Sequence, residues 1–204
     1  AAYQHFAEGI ASFRAPCVWL PGNHDFQPAM YSALQDACIS PAKRVFIGEQ
    51  WQILLLASQV YGVPHGELSE FQLEWLERKL ADAPERHTLL LLHHHPLPAG
   101  CSWLDQHSLR NAGELDTVLA KFPHVKYLLC GHIHQELDLD WNGRRLLATP
   151  STCVQFKPHC SNFTLDTIAP GWRTLELHAD GTLTTEVHRL ADTRFQPDTA
   201  SEGY

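Results

Sequence analysis

Apolar residues along this chain fall into short blocks whose spacing changes with position. Tyr3, Phe6, Ile10 and Phe13 recur at helical intervals, so the chain opens in a helix with no capping residue ahead of it. Cys17-Val18-Trp19-Leu20 is an apolar run stopped by Pro21-Gly22, the pattern of a buried strand that delivers a loop. Arg44–Ile47 and Trp51–Leu56 read as two strands joined by a turn at Gly48. Ser69 stands three residues before Gln72, a capping box, and the helix behind it carries Phe71, Trp75, Leu76 and Leu80 on one face. Residues 89–92 are four leucines running straight into His93-His94-His95. A helix follows over about residues 114–122, and residues 125–129 form another buried strand ending at Cys130-Gly131.

The alternation of strand and helix through this part predicts an α/β layered fold. The last third changes period. Polar and apolar residues alternate on either side of Asn142-Gly143 and again around Asp180-Gly181, which predicts antiparallel hairpins added to the α/β part. The expected organisation is one domain over residues 1–191 with a polar tail at 192–204. A chain of 204 residues with 44% hydrophobic content is long enough for one sizeable core.

Charge narrows the partners. The formal net charge is −8 and there is no Lys/Arg run, which argues against sequence-independent binding of nucleic acid. A small anionic substrate stays compatible, because bound divalent cations invert the local field. No signal peptide or span of about 18 apolar residues is present, so no membrane role and a cytoplasmic setting are expected. Six cysteines include no C-x-x-C pair, and Cys17 and Cys130 read as small buried hydrophobes.

Three polar clusters share one placement, each just after an expected buried strand: Gly22-Asn23-His24-Asp25, His93-His94-His95-Pro96 and Gly131-His132-Ile133-His134. In open α/β sheets, ligands bind beyond the carboxyl ends of strands. Imidazole with Asn or Asp oxygen suits borderline divalent metals such as Fe, Mn and Zn. On an extended segment His132 and His134 point the same way. Taken singly, each cluster has an ordinary reading as a polar loop or turn. Together, in this order, they point to one metal site.

These motifs resemble those of the metallophosphoesterase superfamily, which carries D-x-H, G-D, G-N-H-[D/E], a His and G-H-x-H in that order; the last three stand here. Gly22 to Asp25, His93-His94-His95-Pro96-Leu97-Pro98 and Gly131-His132-Ile133-His134-Gln135-Glu136 resemble the class III 3′,5′-cyclic-nucleotide phosphodiesterases, nearly end to end. The resemblance implies an α/β fold built as a layered β-sandwich flanked by helices, and, in the intact enzyme, hydrolysis of 3′,5′-cyclic AMP to 5′-AMP with two divalent metal ions, Fe or Mn. Asn23, His93 and His132 are similar to ligands of one metal, and His134 to a ligand of the other. His94 is the alternative to His93 in the triple run. Asn23, His24 and His134 match substrate-touching positions, and His24 matches the residue that contacts the phosphate and protonates the leaving oxygen. His65 and His87 receive no role. The implied partner is a small cyclic nucleotide, and the spacing assigns neither an oligomeric state nor a residue to the base.

The pattern departs from the family in two places. D-x-H and G-D, which supply an Asp and a His of one metal and the Asp that bridges both, do not occur before Gly22. The expectation is therefore a chain that begins inside the domain after a first βαβ stretch, holds at most one metal well and has little activity by itself. Ala57 also stands where the family often has Asp. Two other readings compete. Another phosphoesterase on the same scaffold is disfavoured by Asp25 in place of Glu and by the acidic charge. A non-catalytic scaffold of this fold is disfavoured by the intact G-N-H-D and G-H-I-H.

Overall fold

Four consecutive leucines make a strand only where both faces of the sheet are covered. That is their position in the computed structural model, which describes residues 2–35, 39–192, 194 and 196–201. In chain order the elements are α1 (Ala2–Ile10), β1 (Cys17–Val18), α2 (Gln27–Ala33), β2 (Ile39–Ser40), β3 (Arg44–Ile47), β4 (Trp51–Leu56), α3 (Glu70–Ala81), β5 (His87–Leu92), α4 (Ser102–Asp105), α5 (Ala112–Leu119), β6 (Val125–Cys130), β7 (Leu137–Trp141), β8 (Arg144–Ala148), β9 (Gln155–Phe156), β10 (Leu165–Asp166), β11 (Gly171–Leu177) and β12 (Leu183–Arg189).

The central sheet has six strands in the order β3-β4-β5-β6-β8-β7. β4, β5, β6 and β8 run parallel, and β3 and β7 close the edges antiparallel. Successive side chains alternate between the faces. Leu54, Leu56, Leu90, Leu92, Leu128 and Leu146 face a core shared with Leu73, Leu76 and Leu80 of α3 and Leu115 and Leu119 of α5. Trp51, Leu89 and Leu147 face the other way, against Leu175, Leu177 and Leu183 of the β11–β12 hairpin. Arg173 pins that hairpin to the sheet by donating to the Ala148 carbonyl at 2.9 Å. The result is helices on one face and a β-hairpin on the other, the layered α/β arrangement expected.

Local signals are obeyed where the chemistry is local. Ser69 Oγ accepts the Gln72 N–H, and Gln72 Oε1 accepts the Ser69 N–H at 3.1 Å, so the capping box forms at the head of α3. Asn142 and Gly143 have φ of 53° and 80°, the pair of positive values that a type I′ turn needs between β7 and β8.

Three expectations are corrected. The 17–20 run is a strand only at Cys17–Val18, paired with β2 outside the central sheet, and Cys17 is only half-buried. The Trp19 N–H still donates to the Ser40 carbonyl at 3.2 Å, but the two-residue partner ends there. Phe71 is 62% exposed, because the buried face of α3 runs through Leu73, Leu76 and Leu80. The opening helix forms over Ala2–Ile10 but buries no residue fully, and Phe6 and Phe13 lie on the surface.

Candidate metal centre

Gly22 to Asp25 is one tight turn. The Asp25 N–H donates to the Gly22 carbonyl at 3.1 Å, and the Gly22 N–H donates to Asp25 Oδ2 at 2.7 Å. Asn23 and His24 therefore stand at the tip. Asp25 is held from outside as well: the Tyr3 hydroxyl donates to its Oδ1 at 3.0 Å, and Gln59 Nε2 donates to its carbonyl at 2.6 Å. Asp25 shapes the loop while its neighbours are presented. The only sequence sign of that duty is the short Asx spacing back to Gly22.

His93 is the first residue past β5. Its Nε2 lies 3.0 Å from Asn23 Oδ1 and 3.2 Å from His132 Nδ1. His132 follows β6 by two residues, and the Gly131 N–H donates to the His93 carbonyl at 3.1 Å, tying the two strand ends together. One proton on His93 Nε2 cannot serve both neighbours well, and Asn Oδ1 only accepts. The locus holds more lone pairs than protons, and His132 Nε2 is buried with no hydrogen-bond partner. Donors held at about 2.1 Å from one ion lie roughly 3 Å apart, so this spacing fits a shared divalent cation. Gly22 makes the approach possible: a Cβ there would stand 2.7 Å from His93 Cε1.

Burial keeps these imidazoles neutral, the form that ligates metal. Desolvation, then the neighbouring histidines, pushes His93 down to about 3. The same causes in the same order push His132 lower still. Burial brings His134 to about 4, against a raising hydrogen bond with Val154.

His94 lies close enough to join His93 and His132 in one group of donors, all within 4.8 Å of one another. Its hydrogen bonds say otherwise. Nε2 faces the Pro64 carbonyl at 3.2 Å, which can only accept, so the proton sits there. Nδ1 then accepts from Ser58 Oγ at 2.8 Å, and Ser58 Oγ accepts the His94 N–H at 3.2 Å. Both ring nitrogens are satisfied by protein, and the ring presses on Gly66, where a Cβ would meet it at 2.3 Å. The triple run thus separates into a site-facing His93, a structural His94 and a buried His95. The His95 ring stacks on His132 at 5.6 Å, with Nε2 3.4 Å from Asp105 Oδ1. Ser58, Pro64 and Gly66 lie some thirty residues upstream, so spacing alone could not make this division.

His134 stands apart from that group. Its ring lies flat on Phe156, with centroids 4.2 Å apart and planes 5° from parallel. The extended geometry expected for His132 and His134 is not adopted: both have positive φ, 64° and 50°, and the segment bends at each. His24 is exposed at its loop tip, within electrostatic range of His93 and His134. Beside these residues opens a cleft of about 390 Å³, with Asn23, His24 and His132 in its lining together with His107, Trp103 and Phe163. His107 and the aromatic residues carried no motif that could have marked them.

Residues 2–136 match the family described as calcineurin-like phosphoesterase. The chain belongs to that family. Curated relatives of this calcineurin-like phosphoesterase include the 3′,5′-cyclic adenosine monophosphate phosphodiesterase CpdA of Escherichia coli K12. That protein is 98% identical over 204 residues, covering 100% of this chain and 74% of the relative. The protein of the same name from Haemophilus influenzae is 54% identical over 99% of this chain and 74% of its own length. Among solved structures, the phosphoesterase resembles TT1561 of Thermus thermophilus, with a TM-score of 0.52 and 13% identity over 90% of this chain and 77% of that one. A dimetal phosphatase from Danio rerio gives 0.50 and 17% identity over 78% and 67%. At these identities the structural likeness speaks for the fold. Members of this family work with divalent metal ions, and the histidine cluster here is of the kind that holds them.

Proposed function

We propose that this chain carries part of the catalytic machinery of a metal-dependent phosphodiesterase that opens the ring of 3′,5′-cyclic AMP to give 5′-AMP. The observation that carries the reading is the 98% identity to CpdA over every residue of the chain. The convergence of Asn23, His93 and His132 gives it chemistry. Asn23, His93 and His132 would hold one divalent cation of the kind that imidazole and amide oxygen suit, such as Fe, Mn or Zn, with Fe or Mn the pair the family resemblance implies, and His134 would belong to a second, less well held by this chain. Bound there, such cations supply Lewis-acid charge at the phosphate and lower the pKa of water.

The chain's own groups do the rest. Neutral His93 and His132 offer lone pairs at neutral pH without first releasing a proton. Asn23 places an uncharged oxygen beside them, so no carboxylate opposes an incoming phosphate. His24, exposed at the loop tip, holds the proton that the departing ribose 3′-oxygen takes up, a general-acid role. On this reading residues 1–191 belong to the metallophosphoesterase domain without its first βαβ stretch, residues 192–204 form a polar tail, and the substrate is a small cyclic nucleotide met in the cytoplasm, not nucleic acid or membrane.

Incubation with excess Mn²⁺, followed by chromatography of the products, tests the assignment. Slow release of 5′-AMP from 3′,5′-cyclic AMP is expected, with no breakdown of single-stranded DNA. His24→Ala should slow that release by about 100-fold or more while bound Mn²⁺, counted by plasma mass spectrometry, is unchanged. Preference for DNA or for a simple phosphate monoester contradicts the proposal.

A further inference from the structure

The cleft beside the metal locus has a wall that the chemistry of Asn23, His93 and His132 does not use. Trp103 comes from α4, Phe156 from β9, and Phe163 from the turn between β9 and β10. Their rings meet edge to face. Centroids lie 5.0 Å apart for Trp103–Phe156, 5.2 Å for Trp103–Phe163 and 5.7 Å for Phe156–Phe163. The two strands of that ribbon are only two residues long, with Phe156 paired to Leu165. A ribbon that short is not stable by itself; the ring cluster at its base helps hold it, with Cys101 Sγ donating to the Lys157 carbonyl at 3.3 Å and Arg189 Nη1 donating to Gln155 Oε1 at 3.1 Å. All three rings line the same 390 Å³ cleft as Asn23, His24 and His132.

We propose that Trp103 and Phe163 form the nucleobase subsite of this centre, receiving the heterocycle of a nucleotide whose phosphate lies at Asn23 and His132. The inference rests on the phosphodiesterase reading above. A phosphate ester by itself has no use for an aromatic wall, and a small alkyl group would leave most of it in water. A planar base joined to the phosphate through one sugar reaches from the donor end to the rings. Its face stacks on aromatic side chains whatever its edge pattern. Apolar walls with a few convergent polar groups are the usual build of such a pocket. Recognition by stacking favours the larger purine over a pyrimidine and discriminates weakly between adenine and guanine. Phe156, buried and stacked on His134, is the backing on which the subsite rests.

Calorimetric titration of the Mn²⁺-loaded chain with 5′-AMP and with ribose 5-phosphate tests this. The base should tighten binding by about tenfold. The advantage should vanish in Phe163→Ala and Trp103→Ala and return in Trp103→Phe, which keeps a stacking ring if the alanine variant fails to fold. Equal affinities in the unaltered chain, or an advantage that survives Phe163→Ala, overturn the subsite. A metal-free arm separates this from the parent reading. Adenosine, watched by ligand-observed NMR, should bind the unaltered chain and not Phe163→Ala. Adenosine binding with no ribose 5-phosphate binding supports the subsite and counts against the phosphodiesterase reading; adenosine bound equally by both proteins overturns the subsite.

Discussion

His94 commits both ring nitrogens to Ser58 and the Pro64 carbonyl, whereas His93 turns Nε2 toward Asn23 and His132. The two substitutions should therefore fail differently. His93→Ala is expected to weaken Mn²⁺ binding by at least about tenfold with little loss of stability. His94→Ala leaves a cavity over Gly66 and takes from the Ser58 hydroxyl its ring-nitrogen acceptor, and should cost about 2–3 kcal/mol in urea unfolding while keeping most of the metal affinity. Calorimetry and urea titration of both variants check this, and the reverse pattern would exchange their roles. The sequence made three histidines visible and their order unreadable, because what sorts them is the Ser58–Pro64–Gly66 segment packed against His94. The turn that presents Asn23 and His24 was legible because the chemistry that closes it, between Gly22 and Asp25, is local. His132 and His134 were legible as residues but not as geometry, since each bends the chain at positive φ where an extended run was expected.

At the scale of elements, signals read well where one element decides them. The Ser69–Gln72 box, the Asn142-Gly143 turn and the leucines of β5 all took the structure their spacing implied. β1 did not, because a strand needs a partner of its own length and β2 offers two residues. Phe71 was misplaced because, at 3.6 residues per turn, it lies nearly opposite the stripe that Leu73, Leu76 and Leu80 bury. The cap gives a direct test. Ser69→Ala removes the acceptor for the Gln72 N–H and should lower stability by about 1 kcal/mol, read as a shift in urea midpoint with an unchanged slope. Ser69→Asp, which restores an acceptor beside the helix N-terminus, should recover most of it.

At the scale of the whole molecule, the sheet brings together residues more than a hundred positions apart, since Asn23, His93 and His132 each follow a different segment and meet at one end. Collecting several buried imidazoles there has a consequence for acid stability. Burial lowers His93 to about 3 and His94 and His134 to about 4. Unfolded, each returns to about 6.5. Below that value the unfolded chain binds more protons than the folded one, so stability falls as pH falls. The metal-free chain should hold its full stability above about pH 6.5 and lose up to about 1.4 kcal/mol per pH unit for each such histidine as pH falls toward 4. Urea midpoints across that window measure the slope, and a flat profile would mean that the cluster is hydrated and already charged.

The α/β layering and the placement of His93 and His132 beyond strand ends were readable from pattern alone, whereas the aromatic wall of the cleft was not, because Trp103, Phe156 and Phe163 come from three segments with no shared spacing. What joins these scales is the claim that Asn23, His93 and His132 surround one cation. Crystals of the chain grown with Mn²⁺ and measured at the manganese absorption edge test it most directly. The account predicts an anomalous peak within bonding distance of Asn23 Oδ1, His93 Nε2 and a ring nitrogen of His132, with His94 still on Ser58. A peak seated on His94, or a manganese-rich crystal with no density among those three side chains, would contradict it.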